Sequence, residues 1–166
     1  MAATVTSKVV VQLQSLLSNS VGLATAQAAI DTGLNQAIAT GTGATQADRI
    51  YSESAKSISG AYSPDFSGAL LDALGAAAVF ARVRAFLIVA DPTNTGTVIV
   101  GGNANALLLG FGAVAHTFAV RAGGFLFAYA PDTTGYVVTA GTGDILTFTP
   151  SAGTQVFSYA VLGCSV

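Results

Sequence analysis

The stretch VFARVRAFLIVA, residues 79–90, decides the fold class because its side chains alternate along the chain. One set of alternate positions holds only aliphatic residues, namely Val79, Ala81, Val83, Ala85, Leu87 and Val89. The other set holds Phe80, Arg82, Arg84, Phe86 and Ile88. A period of two is typical of a β-strand, whereas an amphipathic helix repeats its apolar residues every three or four positions. The sequence DPTNTG, residues 91–96, then predicts a turn, since Pro fixes φ and Gly admits positive φ.

Short alternating segments occur on both sides of this stretch, one before it and the others from there to the C-terminal part of the chain. They are separated by Gly- and Pro-rich turns and cover residues 48–58, 97–100, 107–109, 113–121, 125–130, 136–140, 144–149 and 155–162. Several short strands at this spacing are typical of an antiparallel sandwich or barrel. We therefore predict an all-β fold, an antiparallel β-sandwich that is jelly-roll-like or barrel-like, over residues 48–166 of a single-domain chain.

The N-terminal part, residues 1–47, is less regular. Residues 5–17 begin as an alternating strand, whereas the Ala- and Gln-rich residues 25–39 have a composition that also favours a helix. Residues 66–74 suggest a short helical or 3₁₀ turn, with Ser67 as its cap. The small, polar residues 18–47 are consistent with an arm that packs on a neighbouring subunit and equally with a lid over the chain's own sheet.

The scarcity of charge is the most informative number in the composition. Only 8% of the residues are charged, against about 25% in a typical soluble domain. Six Lys and Arg against eight Asp and Glu give a net charge of -2, which excludes the basic surface that nucleic-acid binding requires. A surface this poor in charge predicts a subunit of an assembly, because large apolar patches usually contact another protein or a membrane. The alternative is a monomer coated with small residues.

A membrane partner is not expected. The longest apolar stretch, residues 106–115, is too short for a spanning helix, which needs about 20 residues. Lys8 and the apolar residues after it resemble a secretion signal, but Gln12 and Gln14 interrupt the apolar run, so we predict no signal peptide.

No catalytic, cofactor-binding or metal site is predicted, and we do not expect an enzyme. His116 is the only histidine and is expected to be half-buried and hydrogen-bonded, while Cys164 is expected to close the last strand as a small apolar residue. Residues 110–115 match a Gly-x-Gly-x-x-Ala phosphate loop, but that motif works only at the start of a helix, and the following residues alternate like a strand. Asp132 and Asp144 are expected to cap turns.

Four residues of the opening stretch are candidate interface residues. Arg82 and Arg84 are predicted to project from one strand face beside Phe80 and Phe86. Arginine is enriched in protein contacts, so this group suits a surface that reaches a neighbouring subunit. The other interpretation is an exposed edge whose charges prevent strand aggregation.

The segment RAGGFLFAYAPDTTGYVVTAGTGD, residues 121–144, resembles small structural proteins of tailed bacteriophages and prophages. Those proteins often have a Pro-Gly-Gly turn, an apolar strand, an Ala-Pro-Asp turn and a last strand pair; here Ala122 replaces the proline. Residues 43–48, 71–75 and 80–83 resemble the same group, so the resemblance runs from Gly43 to the C-terminus.

The resemblance implies a virion component. Capsid cement, or decoration, proteins of such phages are typically small β-rich subunits, often trimeric, that lie over capsomer junctions. We therefore expect a decoration protein on the capsid surface, assembled in the host cytoplasm, whose partners are the major capsid protein and its own copies. A tail, fibre or baseplate subunit is the first alternative. A carbohydrate-binding module is the second, on the aromatic residues Phe125, Phe127 and Tyr129, although core positions suit these three better.

Overall fold

The computed structural model describes residues 4–21, 24–68 and 70–166 of the chain. These residues form eleven strands and no helix. The strands are β1 (Ser7–Val21), β2 (Ala24–Thr40), β3 (Gln46–Ala47), β4 (Arg49–Ile58), β5 (Arg82–Ala90), β6 (Val98–Gly101), β7 (Thr117–Val120), β8 (Phe125–Tyr129), β9 (Tyr136–Val137), β10 (Phe148–Pro150) and β11 (Gln155–Cys164). All strand pairs except β2 with β3 are antiparallel, which confirms the predicted all-β class.

The strands form three sheets. The main sheet has the order β4-β11-β5-β8, with β9 pairing beside β8 on β5. A smaller sheet has the order β10-β6-β7, and the third has the order β1-β2-β3. In the described part of the chain, β4 and β8 end the main sheet without joining, so the fold is an open sandwich and the barrel-like alternative is wrong.

The core lies between the main sheet and the smaller sheet. Alternate residues of β5 and β11 point into it, among them Phe86, Ile88, Phe157 and Tyr159, each at most 3% exposed. Phe148 of β10 lies at its centre, with ring centroids 4.8 Å from Phe157 and 5.0 Å from Tyr159. Aromatic pairs at this separation add to the stabilisation that burial of their area provides.

A bulge in β5 changes which residues face the core. Leu162 of β11 pairs with Ala85 and Gly163 pairs with Val83, which leaves Arg84 as an extra residue on β5. Val83 therefore faces the same core as Phe86, although the alternation predicted that they face opposite ways. Gly163 is required opposite the bulge, because a Cβ there would clash with the carbonyl oxygen of Arg82.

The predicted secondary structure is wrong in several segments, because contacts distant in sequence decide it there. Residues 25–39 lie in strand β2 and not in a helix, because residues 25–38 pair in register with β1 and Ala39 pairs with Gln46 of β3. Residues 66–74 form turns and an isolated bridge, with no helical turn among the residues described there. The segments predicted as strands at 107–109 and 144–147 are held by isolated backbone bonds, such as that from the Leu107 amide to the Ile145 carbonyl. Irregular segments of this kind depend on contacts distant in sequence.

Candidate interaction surface

The N-terminal strands form one long hairpin, which we call the arm. β1 and β2 pair continuously from Ser7 with Ile38 to Val21 with Ala24. At about 3.3 Å per residue, fifteen paired positions give a ribbon about 50 Å long. Only two of its residues are charged, Lys8 and Asp31. The described residues from 18 to 40 therefore belong to this hairpin, and the expectation that they pack on a neighbouring subunit stays a prediction.

Over residues 7–18 and 27–40, one side of the arm carries most of its large exposed aliphatic side chains, with Ser15, Thr32 and Gln36 among its polar exceptions. Because residues alternate and directly paired residues share a side, Val9 and Ile38 lie on the same side as the residues farther along the hairpin. Val9 and Ile38 are buried against the rest of the chain, whereas the farther residues are 39–70% exposed. These exposed residues, which we call the apolar face of the arm, are Val11, Leu13, Leu17, Ile30 and Leu34.

The opposite side of the arm is mainly polar. The amide groups of Gln12 and Gln14 donate hydrogen bonds of 2.8 and 3.1 Å to the two carboxylate oxygens of Asp31. These bonds lower the pKa of the Asp31 carboxyl. Val10 and Leu16 are the large apolar exceptions on this side. The arm is therefore an amphipathic ribbon whose polar side is suited to water.

The base of the arm is fixed to the outer face of the main sheet, the side turned away from the core. Val5, Val9 and Ile38 pack there in a small cluster with Ala85 and Leu162, joined by Ala47, Phe127 and Tyr129. The Thr40 hydroxyl donates to the Val5 carbonyl, which ties the two ends of the hairpin together. The amide of Thr45 donates to the Pro131 carbonyl over 2.8 Å, so the loop after the arm is also held.

The apolar surface of the outer face continues beyond the base of the arm. Ala160, Leu87 and Phe127 form one cross-strand row, and the next row contains Val89 and Phe125. Leu87, Val89 and Phe125 are all exposed, Phe125 by 62%. Contiguous apolar surface of this kind is characteristic of interaction sites.

A groove of about 580 Å³ separates this surface from β1. Its walls come from β1 on one side and from the outer face on the other, with Ile50, Leu87, Phe125, Phe127 and Leu162 supplying the large apolar side chains. The sheet order β1-β2-β3 leaves the outer edge of β1 without a strand partner within the described ranges. The groove therefore combines an apolar floor with backbone groups able to pair with a further strand.

The predicted interface residues lie elsewhere. Phe80, Phe86 and Arg84 are at most 2% exposed, so these three side chains belong to the interior of the subunit and do not present a surface to a neighbour. Arg82 is partly exposed and donates to the Thr133 carbonyl. The bulge and the loops that cover this end of β5 account for the difference, since the alternation alone predicted that Arg84 projects outward.

Arg84 is a buried cation held by carbonyl oxygens. Its Nη2 donates to the carbonyls of Thr42, Gly43 and Thr133 at 3.1–3.2 Å. These carbonyls belong to the loop after the arm and the loop after β8, so the guanidinium connects both loops to the main sheet. Only Nη2 is bonded in this way: Nε and Nη1 are buried without a hydrogen-bond partner in the described part of the chain.

A second polar cluster, absent from the sequence predictions, joins β4 to the main core. Glu53 Oε1 accepts hydrogen bonds from Tyr51 at 2.6 Å and Tyr62 at 2.5 Å, and Lys56 lies 2.9 Å from Oε2. Burial acts to raise the pKa of the Glu53 carboxyl, but these donors outweigh it and hold the pKa below its ordinary value. Burial and the nearby carboxylate raise the pKa of Tyr62. The tyrosines, 11 residues apart, gave no recognisable motif.

The histidine, the cysteine and the two turn aspartates that the sequence analysis considered do not form a common site. His116 is exposed in the loop before β7, so the expectation of a half-buried histidine is wrong. Cys164 is fully buried as the last residue of β11, as predicted. Asp132 accepts from the Thr134 and Gly135 amides, and Asp144 accepts from the Gly141 amide, so both cap turns as predicted.

The described residues form neither a phosphate-binding loop at residues 110–115 nor a cluster of metal ligands. In the described structure no helix follows Gly110, so the motif lacks the amides that would bind phosphate. Nor do three or more His, Cys, Asp or Glu side chains come together as metal ligands among the residues described. Phe125, Phe127 and Tyr129 share one side of β8, the outer face, and not the core position favoured for them.

The comparisons with known proteins add no identification. The chain matches no protein family model, no curated protein and no solved structure. None of the described segments is a helix long and apolar enough to span a membrane.

Proposed function

We propose that this chain is a structural subunit of a phage virion that assembles through its arm. The observation that carries the proposal is the apolar face of the arm, where five large aliphatic side chains are exposed on a ribbon about 50 Å long. Such a surface is unfavourable in water and becomes stabilising when a neighbour covers it. The scarcity of charge over the whole chain supports the same role.

Within the virion we propose a capsid decoration protein, which binds the major capsid protein and its own copies. The resemblance of residues 43–166 to small phage structural proteins supports this placement. The mechanism is burial of apolar area at several contacts of each subunit, which strengthens the shell against internal pressure. Repeated weak contacts act together, because binding at one raises the effective concentration at the next.

Counting copies in the particle tests the proposal. Particles are purified from a host that carries the gene, and the chain is quantified against the major capsid protein. Many copies on the head support a decoration protein, few copies support the tail, fibre or baseplate alternative, and absence from the particle refutes a virion role. Saturable binding to capsids that lack the chain, with a raised melting temperature of the shell, is the expected result of adding it back.

The carbohydrate-binding alternative has one supporting observation, the aromatic row on the outer face. Phe125 is largely exposed there, and aromatic rings can stack on sugars. The surrounding side chains Leu87, Ile50 and Leu162 are aliphatic, however, and offer no hydrogen bonds to sugar hydroxyls. Binding on a glycan array that is lost in Phe125→Ala would favour this alternative.

A further inference from the structure

We infer that the groove beside β1 receives the arm of a second copy of this chain. This inference rests on the proposed assembly role and specifies the surface that performs it. The occupant is the apolar face of the neighbour's arm, and the receiving surface is the exposed outer face around Leu87, Val89 and Phe125.

The receiving surface is continuous with the part of the outer face on which the chain already packs its own arm. Val9 and Ile38, on the apolar side of the arm, pack within one subunit on the outer face beside Ala85 and Leu162. Leu13 and Leu17 continue that side four and eight residues beyond Val9, and Leu87 and Val89 continue the outer face two and four residues beyond Ala85. The apolar side of the arm and the outer face of the main sheet pack together at the base of the arm, and both are exposed farther along.

Within one subunit, the far part of the arm does not reach the groove, and its apolar face stays exposed. Within one copy the groove is lined by β1 residues no farther along than Gln12. Leu17 lies six residues beyond Val11, which is about 20 Å of extended strand. The far half of the apolar face therefore meets only solvent in the single subunit, and a second copy offers a surface of matching character.

The backbone of β1 also favours an extended strand as the occupant of the groove. The outer edge of β1 is unpaired in the described part of the chain, and it forms one wall of the groove. A β-ribbon entering the groove can add a strand to this edge while its side chains cover the outer face. The arm of a second copy can do both. Its own β1 edge is unpaired and can pair with this edge, and its apolar face can cover the outer face.

Cysteine cross-linking between two different variants tests this contact. Both carry Cys164→Ala to remove the buried native thiol; one also carries Leu17→Cys and the other Leu87→Cys. When they are mixed at micromolar concentration under mild oxidation, docking raises the local thiol concentration to the millimolar range, so cross-linking about a thousandfold faster than for undocked thiols is expected. Leu16→Cys is the matched control, because it neighbours Leu17 but lies on the polar side.

The outcomes separate this inference from the proposed function. Rapid cross-linking of Leu17→Cys, with little from Leu16→Cys, supports the arm-in-groove contact. Equal rates for the two arm positions, or no cross-link in a protein that is oligomeric by light scattering, overturn the inference and leave assembly through another surface. A concentration-independent monomer overturns both proposals. Val89→Cys provides a second receiving position if Leu87→Cys does not fold.

Discussion

Substituting the far part of the apolar face should weaken self-association while leaving the subunit folded. Leu13 and Leu17 are 68% and 70% exposed, so the double substitution Leu13→Thr and Leu17→Thr removes few contacts within one copy. Threonine retains high β-propensity, which preserves the hairpin. The change therefore perturbs the surface that a neighbour would cover and little else.

The magnitude follows from the exposed fractions. Complete burial of a leucine side chain contributes about 1.5–3 kcal/mol, so covering the exposed part of each contributes about 1–2 kcal/mol. Threonine keeps one methyl group, and the expected loss for the pair is about 2–3 kcal/mol for each arm contact. A change of about 1.4 kcal/mol is tenfold in affinity, so the dissociation constant should rise roughly 30- to 150-fold.

Sedimentation velocity over a dilution series measures the dissociation constant of self-association for the variant and for the unmodified chain. The matched control is Val10→Thr with Leu16→Thr, two residues of similar exposure, 58% and 60%, on the polar side of the same strand. The reasoning is refuted if the Leu13 and Leu17 variant keeps the dissociation constant of the unmodified chain while its circular dichroism and melting temperature are unchanged. Equal weakening by the control pair would also contradict it.

Three further outcomes concern the interior of the subunit. Glu53→Gln should lower the free energy of unfolding by about 1–2 kcal/mol at neutral pH, because it weakens hydrogen bonds to a charged acceptor, as measured by urea denaturation. Since folding lowers the pKa of Glu53, its stabilisation is complete above the ordinary carboxyl range and disappears as the pH falls through the lowered pKa; the difference between Glu53→Gln and the unmodified chain should shrink there, and a pH-independent difference would contradict this. Arg84→Met should lower the free energy of unfolding by about 2–4 kcal/mol, because three carbonyls lose their donor. Arg82→Met should lower it by less than about 1 kcal/mol. Similar losses for the two variants would count against a buried structural role for Arg84. Cys164 should react with a thiol reagent only at the rate of unfolding, because it is fully buried, and native-state labelling at the rate of a free thiol would show that the end of β11 opens.

The strands of the sandwich could be predicted because each carries its own alternating pattern. Residues 155–162 and 125–130 are within two residues of the observed strands, and the turns between them contain the expected Gly and Pro. The alternation failed at Arg84, where one inserted residue reverses the two sides. A bulge depends on the register of the neighbouring strand, here the pairing of Gly163 with Val83, which a local pattern does not contain.

The arm was harder to predict because its two strands carry conflicting local signals. β1 shows alternation at Val9, Val11 and Leu13, but β2 is rich in Ala and Gln, which favour a helix in isolation. Cross-strand pairing along the whole hairpin overrides that preference. The sequence pattern predicts the interface at the arginines of β5, whereas the exposed apolar residues lie on the arm and on the outer face.

The arm also explains why the chain tolerates so few charges. A two-stranded hairpin by itself is at best marginally stable, and an exposed apolar edge strand invites aggregation unless charges or a partner protect it. Charges are nearly absent here, since only Lys8 and Asp31 occur in the arm. We propose that a partner provides this protection by covering the apolar face while the Asp31 side stays in water. In that proposal the amphipathic ribbon is covered in one orientation only, which distinguishes ordered assembly from indiscriminate aggregation.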